Sequence, residues 1–327
     1  MAAGEPPAGP APAGIAGLFT RSRHNPLLSI EDWPYPAGSV FNPAATTVDG
    51  DTVLLCRVED RRGISHLTVA RSRDGRTGWR VEPVPLLGPD AHHARWGVED
   101  PRVTRLSDHW VVSYTAYGPD GPAVALAATA DFRTVEPLGM VRPPPDKNAA
   151  LLPQLVDGQY VLLHRPMSTE TGRSDVWLSR SVDLRAWSPP QLVFAARPGG
   201  WWDSVRIGIG PPPLWTSHGW LALYHGIKQM AGGLVYRVGV VLLDAADPAQ
   251  VRHRGDEWLL APQAPYERTG EAPNVVFPTG WIHDVEQDQL RVYYGAADTC
   301  VALATCSYSA LVDYALSCPE PAAPRQP

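Results

Sequence analysis

The sequence predicts an all-β protein, and within that class a five-bladed β-propeller. Three observations carry the prediction. Proline (35) and glycine (29) are abundant and spread along the 327 residues, so turns are frequent. Frequent turns imply many short strands rather than long helices. Short apolar runs recur at intervals of about 50 to 70 residues, five times in all, and that spacing accommodates about four strands per unit. Hydrophobic residues make up 44% and charged residues 19%, which suits a folded globular chain. A β-sandwich is the structural alternative, but it does not readily explain five similar units.

The five runs are Val53-Leu54-Leu55-Cys56-Arg57, Val111-Val112-Ser113-Tyr114, Val161-Leu162-Leu163-His164-Arg165, Leu221-Ala222-Leu223-Tyr224-His225 and Val292-Tyr293-Tyr294-Gly295. Several follow a polar turn, such as Asp49-Gly50-Asp51 or Asp157-Gly158-Gln159. Several precede a second apolar run, such as Leu67-Thr68-Val69-Ala70 or Val176-Trp177-Leu178-Ser179. Two units add a third signal, Asp74-Gly75 before Trp79 and Asp183-Leu184 before Trp187. These runs are read as the innermost strand of each blade. Residues 21–317 then form one domain, between an Ala/Pro/Gly-rich tail (1–20) and a Pro-rich tail (318–327).

Charge and composition exclude several function classes. The net charge of −6 argues against broad nucleic-acid binding, which needs a basic surface. No segment approaches the roughly 20 apolar residues of a membrane span. The N-terminus lacks a basic segment followed by a Leu-rich core, so a cytoplasmic protein is expected. Cys56, Cys300, Cys306 and Cys318 lack a CxxC spacing and read as buried small residues or free thiols. His92-His93 has only Asp90 nearby, so no metal site is expected. No dinucleotide fingerprint or nucleophile elbow occurs. Oligomeric state is open, and a homo-oligomer is compatible with the sequence.

One motif stands out: Trp96-Gly97-Val98-Glu99-Asp100-Pro101-Arg102. Adjacent side chains on a strand point to opposite faces, so one of Glu99 and Asp100 should face a pocket while the other braces the blade. Pro101 should push Asp100 into an extended conformation. Asp-Pro also occurs in ordinary turns. The apolar runs end in or near Arg57, Tyr117, His164, Arg165, Tyr224, His225 and Asp298. Polar groups from five strands aimed at one axis would build a polar binding site.

These residues fall in motifs spread from Val40 to Asp298. They are Val40-Phe41-Asn42-Pro43, Arg57-Val58-Glu59-Asp60, Gly97-Val98-Glu99-Asp100-Pro101-Arg102, Asp146-Lys147-Asn148-Ala149-Ala150 and His164-Arg165-Pro166. Then come Arg206-Ile207-Gly208, Gly210-Pro211-Pro212-Pro213, Leu223-Tyr224-His225-Gly226, Asn274-Val275-Val276-Phe277-Pro278 and Tyr294-Gly295-Ala296-Ala297-Asp298. In order and spacing the chain resembles glycoside hydrolase family 130, the β-mannoside phosphorylases and their hydrolytic relatives.

The resemblance implies a five-bladed propeller and an inverting phosphorolysis that releases α-mannose 1-phosphate. Inorganic phosphate is then the co-substrate, a β-mannoside oligosaccharide is the substrate, and no cofactor is required. Asp100 takes the place of the general acid. The resemblance places Arg57, Lys147, Arg165, Tyr224 and His225 at phosphate-binding positions, some of which are glutamates in hydrolytic members; no glutamate occurs at these positions here. Arginine offers a planar fork for phosphate oxygens and lysine a compact charge. Asn42 and Asp298 stand at places that bind the terminal mannose. Trp96, Trp201 and Trp202 are candidates to cover a sugar face, with Asp203 as a hydroxyl partner. Arg206 stands where lysine is common. The substrate branch implied is β-1,4-mannosyl-N-acetylglucosamine or β-1,2-mannooligosaccharide. A β-mannosidase on the same fold and a non-catalytic glycan-binding propeller are the alternatives.

Overall fold

The structure, a computed structural model, describes residues 17–90, 93–167 and 174–321. It is all-β, built of antiparallel meanders. Strands Ser39–Val48, Asp51–Glu59, Ser65–Ser72 and Arg80–Val81 pair in succession. Gly97–Leu106, His109–Gly118, Gly121–Thr129 and Glu136–Arg142 repeat that order. A single parallel pair, Ser65 with Gly97, joins these two meanders into one sheet. Asp146–Leu151, Tyr160–Pro166, Val176–Ser181 and Gln191–Phe194 form a separate sheet. In the next, Arg206–Ile209 and Leu214–Thr216 both pair with the long strand Gly219–Met230, followed by Gly233–Leu243 and Val251–Arg254. The last sheet runs Val276–Asp284, Gln289–Ala296, Cys300–Ser307 and, at its edge, Thr20–Arg21. The chain's first strand therefore covers the edge of its last sheet, with Thr20 opposite Thr305.

The apolar runs lie second in each meander, not first. A second strand has a neighbour on both edges and buries both faces, so it reads as an unbroken apolar run. The strands ahead of them carry the polar motifs and are bulged. The register shifts between Phe41 and Ala44, between Glu99 and Arg102, and between Lys147 and Ala150. Inside these bulges Asn42, Asp100 and Asn148 have φ of 45°, 49° and 54°. Asn and Asp tolerate this left-handed region better than other side chains. The extended conformation expected of Asp100 is thus overridden: the bulge, not Pro101, sets its backbone.

The turn between the third and fourth strands also repeats. Asp74, Asp131 and Asp183 each accept backbone N–H bonds from the residues two and three positions on. This is the Asx-type turn, which short carboxylates favour. The unit at Asp131 lacks the following tryptophan, and only the other two are visible as a sequence pattern.

Both ends are ordered further than the sequence suggests. Phe19 and Cys318 are buried in the core of the last sheet, together with Leu311 and Ala315. Those two belong to a helix, Tyr308–Ser317, which the turn-rich composition does not announce and which Ser307 caps through the Ala310 N–H. Residues 1–16 and 322–327 of the expected tails, and His92, lie outside the described residues. All four cysteines are buried and unpaired. Among the described residues no helix is long and apolar enough to cross a membrane.

Candidate active site

The first-strand bulges and the ends of the second strands meet at one cavity of about 140 Å³. Asn42, Asp100 and Asn148 enter it from the three bulges. Arg57, Arg165 and His225 enter it from second strands, and Asp298 from the turn after another. Lys147 precedes the third bulge and completes the polar lining.

Asp100 is buried, and its Oδ1 accepts from Asn42 Nδ2 at 2.8 Å and from Arg57 Nη1 at 3.1 Å. The same guanidinium reaches Glu99 Oε1 at 3.2 Å and Glu59 Oε2 at 3.3 Å, while its Nε donates to Ser65 Oγ at 2.8 Å. Glu99 Oε2 lies 3.6 Å from Lys147 Nζ. Glu99 therefore does not point away from the pocket side, as strand alternation predicts. The bulge breaks the alternation, and both carboxylates of the motif engage Arg57. Beneath them Arg102, fully buried, donates to the main-chain oxygens of Asp100 (2.6 Å), Gly210 (3.1 Å) and Ile209 (3.3 Å). It ties the Asp100 bulge to the strand Arg206–Ile209.

Burial alone would raise the Asp100 pKa, but the charges of Arg57, Lys147 and Arg102 outweigh it and hold the carboxyl well below the usual range. Asp298 shows the reverse. Burial and the charge of Asp100 push it up to about 6. It sits with Ala297 in a left-handed turn (φ 50° and 47°) closed by the Thr299 N–H on the Ala296 oxygen. Segment 269–275 backs this turn, with the Ala272 N–H bonded to the Ala297 oxygen.

The cationic side is built on one ladder rung. Lys147 and Arg165 are register partners across the strands Asp146–Leu151 and Tyr160–Pro166. Like charges directly opposite one another destabilise a sheet, so something must offset them. Glu99 answers Lys147. Among the described residues no carboxylate pairs with the Arg165 guanidinium, which is 6% exposed and touches His225 Nε2 at 3.4 Å. Burial, with Arg206 adding repulsion, lowers Arg165 to about 10, so it stays charged at neutral pH. His225 is buried against Phe277 (4.6 Å) and Tyr236 (6.1 Å). Burial and the charges of Arg165 and Arg102 hold its pKa well below the ordinary histidine value. It therefore offers ring-nitrogen hydrogen bonds rather than positive charge.

Four buried polar atoms around the cavity have no partner among the described residues: Asn42 Oδ1, Asn148 Oδ1, Arg165 Nε and His225 Nδ1. Leaving such a group unmet costs about 1–3 kcal/mol each. A polar, partly anionic ligand would relieve that cost. Two glycines leave room for this arrangement. A Cβ on Gly295 would collide with the Asn42 side-chain oxygen, and one on Gly208 would collide with the His225 ring.

The structure brings together Asn42, Arg57, Asp100, Lys147, Arg165, His225 and Asp298. It does not bring Tyr224, Asp203 or Trp96 to the cavity. Tyr224 alternates with His225 on one strand and so faces the other way. Its hydroxyl donates to Asp203 Oδ2 at 2.9 Å, and the fully buried Asp203 is also held by Arg254 (2.8 Å), which is buried, and by Arg197 (3.0 Å), which is partly exposed. Trp202 is buried and stacks on Tyr224 at 5.5 Å. Trp96 is exposed and packs on Tyr117 at 5.3 Å, and Trp201 is exposed beneath Arg197 at 3.9 Å. Asn148, Tyr236 and Phe277 line the cavity without having been singled out. A signal existed for Asn148, which stands in its strand as Asn42 and Asp100 stand in theirs. Tyr236 lies on a third strand and carries none.

A family model described as β-1,4-mannooligosaccharide phosphorylase matches residues 23–316. The chain belongs to glycoside hydrolase family 130. It is 33% identical to the β-1,4-mannooligosaccharide phosphorylase of Ruminococcus albus, over 94% of this chain and 93% of that one. It is 35% identical to the 1,2-β-oligomannan phosphorylase of a Thermoanaerobacter species, over 85% and 93%. The solved structure of Listeria innocua β-1,2-mannobiose phosphorylase with β-1,2-mannobiose superposes with a TM-score of 0.84 at 29% identity, covering 91% of this chain and 99% of that chain. The cavity thus lies on a family 130 scaffold.

Proposed function

We propose that this chain is an inverting β-mannoside phosphorylase on a five-bladed β-propeller, the N-terminal strand completing the fifth blade. The observation that carries the function is the Arg165 guanidinium. It is buried, charged, unpaired with any carboxylate among the described residues, and opposite Lys147 in the cavity that holds Asp100. A buried charge without a partner is costly, and a phosphate anion is the partner this geometry suits. The phosphorylase names of the relatives support the same reading.

In this reading Asn42 and Asp298 hold hydroxyls of the terminal mannose, and Arg165, Lys147 and His225 hold phosphate. A phosphate oxygen attacks the anomeric carbon as the glycosidic C–O bond breaks. Asp100 delivers a proton to the departing oxygen, and inversion turns the β-mannoside into α-mannose 1-phosphate. Phosphate replaces the activated water of a hydrolase, so a second catalytic carboxylate is not needed. The surrounding cations hold Asp100 ionised, so the proton it delivers is one that hydrogen phosphate brings in and gives up as its oxygen bonds to the anomeric carbon. An entering phosphate offsets the surrounding cations and raises the Asp100 pKa, which prepares it to carry a proton. The substrate class is a β-1,4- or β-1,2-linked mannoside, as the relatives are named for both linkages.

The test is incubation with β-1,4-mannobiose, β-1,4-mannosyl-N-acetylglucosamine and β-1,2-mannobiose in phosphate buffer and in a phosphate-free buffer. The expected product is α-mannose 1-phosphate, formed only with phosphate. Free mannose released at a rate independent of phosphate overturns the proposal and favours a β-mannosidase.

A further inference from the structure

Outside the cavity lies a buried triad that the chemistry above does not use. His164 Nδ1 donates to Asp146 Oδ2 at 2.6 Å, and His164 Nε2 lies 3.0 Å from Ser179 Oγ. The three residues are 0%, 2% and 0% exposed for His164, Asp146 and Ser179. The order Asp–His–Ser matches a nucleophilic triad, but Ser179 is sealed and no substrate could reach it. Nucleophilic catalysis is therefore ruled out by burial.

The triad's contact with the site is through the main chain. The second oxygen of Asp146, Oδ1, accepts the Arg165 backbone N–H at 3.1 Å. The ladder beside Arg165 is broken by the bulge between Lys147 and Ala150. Asp146 thus gives the Arg165 N–H a side-chain acceptor beside a disrupted stretch of ladder. The commitment of Asp146 has a second effect. Its charge is felt by Arg165, yet one oxygen is taken by His164 and the other by the backbone. It makes no ion pair with the Arg165 guanidinium, whose Nε has no partner among the described residues.

We infer that Asp146 and His164 are positioning residues for phosphate, acting only through Arg165. They fix the Arg165 main chain at the bulge, and His164 keeps the Asp146 carboxylate away from the guanidinium. The inference rests on the phosphate reading given above. Without His164, Asp146 Oδ2 keeps only the longer contact with Arg142 Nε at 3.8 Å, and the carboxylate is released to turn toward the Arg165 charge. That would neutralise the phosphate site from within, without touching the mannose side.

Steady-state phosphorolysis of the full chain tests this, with phosphate and mannoside varied separately. His164→Leu is expected to raise the KM for phosphate by about tenfold or more, the scale of a misplaced binding group, and to leave the KM for the mannoside within about twofold. In the synthetic direction the KM for α-mannose 1-phosphate should rise while that for the acceptor sugar does not. His164→Asn, whose amide donor falls where Nδ1 lies, should restore most of the phosphate affinity. Ser179→Ala, a smaller lesion, should shift the phosphate KM in the same direction if His164→Leu fails to fold. Equal rises in both KM values, a fall in kcat alone, or no rescue by asparagine overturns the inference. The wild-type control separates the two claims. If wild-type turnover needs phosphate and the variants do not change its KM, only the positioning role fails. If wild-type turnover ignores phosphate, the phosphate reading fails and the positioning role with it.

Discussion

Asn42 donates a 2.8 Å hydrogen bond to Asp100 across the first strands of two successive meanders. Both residues occupy the left-handed region inside a β-bulge. Each bulge turns a short polar side chain out of the strand's alternation and toward a common cavity. The contact therefore joins two copies of one local device. Asn148 is a third copy, and its amide Nδ2 lies 3.4 Å from His225 Nε2. Strained backbone of this kind costs about 1–3 kcal/mol per residue and persists where surrounding structure enforces it. Here Arg102 supplies part of the enforcement by binding the Asp100 carbonyl.

Asp100→Asn should cut phosphorolysis of a mannobiose by about 10² to 10⁴, the scale of a lost general acid. The fold should survive, because an amide oxygen can still accept from Asn42. The loss should shrink with a p-nitrophenyl β-mannoside, whose leaving group needs little proton assistance. Initial rates on both substrates check this. Equal losses on the two would assign Asp100 to binding rather than to proton delivery.

Arg165→Ala should raise the phosphate KM by about tenfold to a hundredfold, the worth of a hydrogen bond to a charged group. Arg165→Lys should recover little, since a compact ammonium cannot reproduce the planar fork that reaches both phosphate and His225. Because Lys147 would then face one cation fewer across the ladder, the thermal midpoint of Arg165→Ala in the absence of phosphate should not fall. Kinetics in phosphate and a melt in phosphate-free buffer read the two effects separately.

The strands and the family were legible in the sequence, while the sides of the strands were not. Apolar runs such as Val161 to Leu163 mark second strands because those strands are buried on both faces. Asp100, Arg57, Lys147 and Arg165 are recognisable because the motifs that hold them resemble those of the family in order and spacing. Glu99 departs from strict alternation because a bulge intervenes between it and Arg102. Tyr224 shows the opposite case: alternation does hold on its strand, so it faces Asp203 while its neighbour His225 faces the cavity. Bulge positions depend on pairing between strands, and one strand's sequence does not contain that pairing.

Gly295→Ala isolates a steric requirement. Gly295 lies on a second strand with a backbone that any residue can adopt, since it is not among the residues of positive φ. Its substitution matters only because a methyl group there would strike the Asn42 side chain. The Asn42–Asp100 hydrogen bond should be lost as Asn42 is displaced. A destabilisation of about 1–3 kcal/mol, typical of overpacking, is expected by denaturant melt. Activity should fall further than that stability loss explains, and Gly208→Ala should do the same through His225.

Asp298 gives the pH dependence. Its pKa in the folded protein is about 6, above its ordinary 3.8, so the fold favours the protonated form. The stability this contributes is complete below about pH 4 and is lost as pH rises through about 6, because the ionised carboxylate is buried beside Asp100. Asp298→Asn removes the ionisation and keeps the shape. Its thermal midpoint should match the wild type below about pH 4 and exceed it increasingly from about pH 4 to pH 6, with the gap constant above that. Asp100 titrates in the opposite sense, since Arg57 and Lys147 depress its pKa and its contribution is lost only as pH falls. In an Asp100→Asn background, Asp298 loses the neighbouring negative charge that raises its folded pKa, so the gap opened by Asp298→Asn should level off at lower pH and be smaller. A gap that does not change with pH, or that does not move when Asp100 is neutralised, would show that the two carboxylates do not interact across the cavity.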